Sequence, residues 1–341
     1  MFPTSQTDAP QTKPILVDRF GRHVTYLRIS VTDRCDLRCV YCMAEKMQFV
    51  SHSQLLTLEE MVRIGQAFVD LGVTKIRISG GEPLVRRNIL YLFRTLGVTP
   101  GLNDFTLTTN ATQLPKFAND LKKAGVTRIN ISLDTLRQDR FRNITRNGDI
   151  NNTLQGIEAA VATGFERLKI NAVILKNHNH DEILDLVEYA VAHQIDISFI
   201  EEMPLGAISE HNRAETYFSS DQTFSVIRKH YELLPSMETT GGPSRYFRIP
   251  DLKTRIGFIS PHSHNFCDSC NRVRLTAEGR LLLCLGQEHS VDLRQVVRSY
   301  PDDDEILRQT IIDSMAIKPK GHEFDLSKDP VITRHMNHTG G

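Results

Sequence analysis

Tyr26-Leu27-Arg28-Ile29-Ser30-Val31-Thr32-Asp33-Arg34-Cys35-Asp36-Leu37-Arg38-Cys39-Val40-Tyr41-Cys42 holds two patterns in one run. Its first six residues alternate, with Leu27, Ile29 and Val31 on one face and Arg28 and Ser30 on the other. Successive side chains of a β-strand point to opposite faces, so this is a strand with one apolar and one polar side. A Cys-x3-Cys-x2-Cys triplet follows at its C-terminal end. A second triplet, Cys267, Cys270 and Cys284, lies more than two hundred residues on, and none of the six cysteines is left over. Structural zinc sites close with four ligands, and iron–sulfur cubanes are commonly held by four thiolates. Two triplets therefore point to two metal clusters, each with one position open to a substrate or cofactor. Three disulfides and a split zinc site are the competing readings. No apolar N-terminal run of the signal-peptide kind is present, and a chain of 341 residues needs no disulfides to make up for a small core. Cys267 and Cys270 alone would serve as half of a zinc knuckle.

Working outward, short β-rich runs recur at Lys75–Ser79, Phe105–Asn110, Arg128–Asp134, Leu168–Ile174 and Asp196–Met203, each preceded by room for a helix. Thr57 and Glu60 form a capping box before a helical stripe of Leu58, Met61, Ile64, Phe68 and Leu71, which Gly72 ends. Six such βα units predict an α/β fold: a partial (β/α)6 TIM-like barrel, open on one side, since eight units are needed for closure. After Met203 the pattern changes to short antiparallel strands near Arg245–Ile249, Thr254–Ser260 and Val273–Leu285, then two helices. This is expected to be an α+β covering domain. The boundaries are a loose lead-in over 1–14, the barrel over 15–205, the covering domain over 206–317 and a polar tail over 318–341, which composition alone would leave disordered.

The polar strand faces carry the next signal. Arg28, Lys75, Arg77 and Lys169 share the face that would line the barrel, with Thr106, Thr108, Asn110, Asn130, Ser132, Asp134 and Asn171. Ordinary barrels fill that interior with Val, Ile and Leu. Converging cations there are costly unless an anion, such as a polyphosphate, occupies the space; the competing reading is a one-sided sheet facing water. Ser79-Gly80-Gly81-Glu82-Pro83 ends the second strand, where the glycines let backbone approach a ligand and Glu82 can hold an ammonium group. Lys plus Arg and Asp plus Glu each total 41. No bulk field calls for nucleic acid or an anionic membrane, and no apolar run is long enough to span one. A cytoplasmic enzyme is expected.

The run from Val31 to Cys42, with Tyr41 before the last cysteine, resembles the signature loop of the radical S-adenosylmethionine superfamily. The Gly-Gly-Glu-Pro run resembles that superfamily's methionine-binding segment. The second triplet with Arg272, Val273 and Arg274, together with the final Gly340-Gly341, resembles the GTP 3′,8-cyclase family, over about Pro14 to Gly341. The resemblance implies two 4Fe-4S clusters, one on Cys35, Cys39 and Cys42 and one on Cys267, Cys270 and Cys284. It implies that S-adenosylmethionine meets Tyr41, Gly81, Ser132 and Met203, with Glu82 on its amine, and yields a 5′-deoxyadenosyl radical. GTP would meet Arg28, Arg77, Thr108, Lys169, Arg272, Val273 and Arg274, with its guanine at the second cluster. Lys75, which also faces the lumen, and the Gly340-Gly341 terminus are taken as further catalytic residues. A reducing electron donor, a downstream cyclic pyranopterin monophosphate synthase and a homodimer come with the family. One departure is Ser198, where the family usually has arginine. The alternatives are a peptide-modifying radical enzyme with an auxiliary cluster and a zinc-dependent RNA or protein module. The first would want more auxiliary cysteines and no basic lumen, and the second a basic surface with aromatic platforms.

Overall fold

The computed structural model describes residues 15–206, 208, 211–326 and 332–340; the expected lead-in over 1–14 and Gly341 lie outside the described residues. Strands β1 (Tyr26–Ser30), β2 (Lys75–Ser79), β3 (Asp104–Thr109), β4 (Arg128–Ser132), β5 (Arg167–Val173) and β6 (Asp196–Ile200) lie side by side in that order. All five pairings are parallel. Helices α1 (Leu58–Asp70), α2 (Ile89–Gly97), α3 (Leu114–Lys123), α4 (Gln138–Thr145), α5 (Ile150–Thr163) and α6 (Ile183–Ala192) run between them, two of them between β4 and β5. The expected capping box starts α1: Glu60 N–H donates to Thr57 Oγ1 at 3.1 Å, and Thr57 N–H to Glu60 Oε2 at 2.7 Å. Leu27, Ile29, Ile76, Ile78, Leu107, Ile129, Ile131 and Ile170 form the core with the helices, as strand alternation requires.

The covering segment is built into the same sheet. β7 (Leu234–Pro235), β8 (Arg245–Arg248) and β9 (Arg255–Ile259) extend it beyond β6, and β10 (Arg272–Leu275), β11 (Arg280–Leu282) and β12 (Ser290–Asp292) extend it beyond β1. Only β9 and β10 join in parallel; the outer strands are antiparallel. An exposed barrel edge is an unpaired row of backbone groups, and each arm satisfies one such row. The lumen is thereby closed off rather than left facing water: Arg28, Lys75, Arg77, Lys169 and Arg274 are each less than a tenth exposed.

Two expectations change. β6 stops at Ile200 because Glu201, 1% exposed, turns its carboxylate to the N–H groups of Ser220, His262 and Ser263. The tail is not loose where it is described: Lys318 is 1% exposed, and Met336–Thr339 form a helical turn with Asn337 and Thr339 buried. Among the described residues no helix is long and apolar enough to cross a membrane.

Helix α5 sits on the backbone just beyond β3. A Cβ added at Gly156 would lie 2.0 Å from the Ala111 carbonyl oxygen. Gly156→Ala gains about 1 kcal/mol of helix propensity but overpacks a rigid contact that costs about 1–3 kcal/mol. The expected result is a lowered urea midpoint, and a raised midpoint would show that the helix can shift outward freely.

Candidate active site

The loop from β1 to α1 brings Cys35, Cys39 and Cys42 to a cavity at the C-terminal mouth of the barrel, lined also by Tyr41, Gly81, Thr108, Ser132 and Met203. Local hydrogen bonds fix the loop. Arg38 Nη1 donates to the Cys35 carbonyl, Asn110 Nδ2 and Thr112 Oγ1 both donate to Asp36 at 2.6 Å, and Tyr41 OH donates to Asp134 Oδ2 at 2.7 Å. Burial pushes the Cys35 and Cys39 thiols far up, and nearby anionic groups add to this; burial pushes Cys42 up to about 12. Among the described residues no Lys or Arg lines this cavity. Three half-buried thiols lining a cavity without a cation stay protonated, whereas a metal's own charge deprotonates them. The donor set fits a metal cluster and explains the pocket poorly as plain packing. Among the described residues no three Cys, His, Asp or Glu groups are gathered tightly enough for a single ion.

Glu82 departs from its expected place. It is fully buried and accepts from Asn110 N–H at 2.7 Å, Thr109 Oγ1 at 2.8 Å and Leu84 N–H at 3.0 Å. Burial outweighs these donors and lifts its carboxyl to about 7. It clamps the β2 loop to the end of β3 and does not line the cavity. Gly81 does line it, and a Cβ there would meet the Arg34 carbonyl at 2.3 Å, so the two loops approach too closely for any other residue.

The second triplet lines an adjoining cavity with Arg28, Arg77, Lys169, Arg272, Val273 and Arg274. Asn171, Ile200 and Met203 line both cavities, so the two are contiguous. Strand register aligns Arg274, Arg28 and Arg77 side by side across β10, β1 and β2. Burial, then mutual repulsion, drives Arg274 well below its ordinary value and Arg28 to about 10; burial likewise lowers Lys169. Burial alone would raise the Tyr26 hydroxyl, yet Arg77, Arg28, Lys75 and Arg272 pull it down to about 7. Arginine does not give up its proton in proteins, so these shifts express a demand for an anion. Cys270 feels the same field: Arg272 and Lys318 outweigh its burial and lower its thiol. Cys284 is raised by burial.

Lys75 lines neither cavity. Its ammonium pairs with Asp104 at 3.0 Å and lies 4.8 Å from the centre of the Tyr26 ring, which does line the second cavity. Thr108 lines the first cavity and accepts from Arg77 Nη1 at 3.3 Å. Arg274 Nη1 donates to the Gly340 carbonyl at 2.7 Å, bringing the tail between the cavities. Asn337 secures it, with Nδ2 on the Asp33 carbonyl at 2.7 Å. Ser198 is the register partner of Asn171 and so faces the lumen, 3.0 Å from the Ser244 hydroxyl. Sequence reasoning missed Tyr26, which shares the phase of Arg28, and Lys318, for which the polar tail gave no signal.

A family model described as Radical SAM superfamily matches residues 29–190, and one described as Molybdenum Cofactor Synthesis C matches residues 195–324. A GTP 3′,8-cyclase of Marinobacter nauticus is 58% identical over 332 residues, 97% of this chain and 100% of the relative. One from Saccharophagus degradans is 55% identical over 326 residues, 96% of this chain and 98% of the relative. Among solved structures, Streptococcus suis SuiB bound to S-adenosylmethionine superposes with a TM-score of 0.62 at 16% identity, covering 86% of this chain and 69% of that one. At that identity the likeness concerns the fold alone.

Tyr41 and Asp134 give a pH-dependent test. Burial lifts the Asp134 carboxyl to about 6, against Tyr41 and Val173 hydrogen bonds that lower it. Its folded value lies above the unfolded one, so folded protein binds the extra proton and stability falls as pH rises through about 4 to 6. Tyr41→Phe removes the donor that offsets this and should cost about 1–3 kcal/mol at pH 8. The cost should shrink at pH 5, where Asp134 is protonated. Urea midpoints of metal-free protein at both pH values check it; an equal loss at both would contradict the assigned bond.

Proposed function

The chain belongs to the GTP 3′,8-cyclase family, and on that premise we propose how its own residues carry the family's reaction. That reaction is the radical cyclisation of GTP to (8S)-3′,8-cyclo-7,8-dihydroguanosine 5′-triphosphate, the first step of molybdenum cofactor biosynthesis. The observation that carries the reading is the row of lumen cations lining the second of two contiguous cysteine-lined cavities. Cys35, Cys39 and Cys42 would hold the cluster that, with S-adenosylmethionine bound, supplies the radical chemistry. Tyr41, Gly81, Ser132 and Met203 orient S-adenosylmethionine, and Glu82 acts indirectly by fixing the loop. Cys267, Cys270 and Cys284 would hold a second cluster whose open position takes the guanine. Arg28, Arg77, Lys169, Arg272 and Arg274 bind the triphosphate, with Thr108 holding Arg77 and Val273 packing beside them. Lys75 sets Tyr26, and the tail, seated at Gly340 on Arg274, positions the reacting groups. The reading extends to an external one-electron donor, to cyclic pyranopterin monophosphate synthase as consumer of the product, and to a homodimer in the cytoplasm. Full-length identity favours the cyclase over a peptide-modifying enzyme.

Two variants separate the triplets. Cys35→Ala should abolish 5′-deoxyadenosine release and product together. Cys270→Ala should keep uncoupled 5′-deoxyadenosine release while cyclisation stops. Chromatographic assay of both compounds decides it, and cyclisation at the parent rate in Cys270→Ala would remove the second triplet from the substrate site.

The tail is tested at Gly340. It has φ 74°, and a Cβ would meet Ser79 Oγ at 2.1 Å, so any side chain must lift the tail from its seat. Gly340→Ala should leave iron content and GTP affinity near the parent's while product formation falls by about two orders of magnitude, the scale of a lost positioning group. Unchanged product formation would make the tail incidental.

A further inference from the structure

Lys318 lies in the tail yet is 1% exposed. Its Nζ sits 3.7 Å from Cys270 Sγ and donates to the carbonyls of Leu283 at 2.8 Å and Arg272 at 3.1 Å. Leu283 precedes Cys284, and Arg272 is two residues beyond Cys270, so one ammonium ties both halves of the second triplet. Its backbone is held in place as well. Arg22 donates to the carbonyls of Pro319, Lys320 and Cys267, and is itself anchored on Asp18 at 2.6 Å. Gly321 packs so closely that a Cβ there would lie 3.0 Å from Cys267 Sγ. Among the described residues no carboxylate lies within ion-pair distance of Lys318. A buried ammonium is expensive without an anion beside it, and such charges are normally paired. The group its ammonium faces at the second triplet is the Cys270 sulfur, at 3.7 Å.

We propose that Lys318 is the fixed counter-charge of the second cluster, seated against the Cys270 ligand sulfur and biasing the cluster toward its reduced state. The proposal rests on the reading that the second triplet carries a cluster. Adding one electron to a cluster held by thiolates adds one negative charge and needs no proton. A fixed cation beside a ligand sulfur therefore stabilises the reduced state more than the oxidised one, and the low-dielectric surroundings strengthen the effect.

The test uses the full chain, reconstituted anaerobically with iron and sulfide, as parent, Lys318→Met and Lys318→Arg. Each is titrated with titanium(III) citrate, which gives up the electron, and followed by electron paramagnetic resonance. The second cluster's signal is the one absent from Cys270→Ala. Lys318→Met should shift that cluster's reduction equilibrium about tenfold or more toward the oxidised state, about 59 mV for a one-electron couple, while the first cluster's midpoint stays in place. Lys318→Arg should restore the parent value. Loss of the second cluster's iron in Lys318→Met, recovered in Lys318→Arg, would equally support the counter-charge. An unchanged midpoint in Lys318→Met overturns the proposal and leaves the second cluster standing, and loss of the cluster in both variants overturns it in favour of a packing role. A parent with only about four irons per chain overturns the cluster reading and the proposal together.

Discussion

Register places guanidinium beside guanidinium at the centre of this molecule. Tyr26 aligns with Arg272 and Lys75, and Arg28 with Arg274 and Arg77, across three neighbouring parallel strands. Neighbouring residues of one register share a face, so the positive groups have no freedom to point apart. Such a row is tolerable in a closed lumen only with an anion in it, or with neutral acceptors that soften its field. The structure supplies some of the latter: Thr106 and Thr108 accept from Arg77, and the Gly340 carbonyl accepts from Arg274.

Everything else serves to keep that row sealed and aimed. The two C-terminal arms close the edges that six strands leave open, and the tail passes between the cavities. The cysteine cavities differ in electrostatics. Among the described residues the first has no cation in its lining, while the second sits within reach of Arg272 and Lys318. A cavity free of cations suits a sulfonium cofactor, which is itself positively charged, and a cavity lined with guanidinium and ammonium groups suits a nucleobase linked to a polyphosphate.

Much of this was legible in the sequence. The alternation of Leu27, Ile29 and Val31 with Arg28 and Ser30 settled which face meets the helices, and the cysteine spacing separated two sites. What alternation does not encode is depth. Lys75 faces the lumen as its phase demands, but it lies two residues nearer the N-terminal end than Arg77, about 7 Å lower, where Asp104 takes it. Loop side chains were also illegible. The direction of Glu82 is set by how the glycine loop packs on Arg34, and its carboxylate finds β3 rather than the cavity. The partners of β9 and β10, on opposite edges of the sheet, follow from long-range pairing that no local pattern records. Lys318 sits in a stretch whose polarity suggests solvent, and only the fold reveals that it is buried.

The central claim is that the lumen is built for a polyanion rather than for a base alone. Its most direct measurement is the affinity of the anaerobically reconstituted protein for GTP against guanosine, across a range of salt concentrations. Several buried charge-assisted hydrogen bonds to phosphate predict that GTP binds at least about a hundredfold more tightly, with an advantage that shrinks as salt rises. Equal affinity for the two, indifferent to salt, would contradict it.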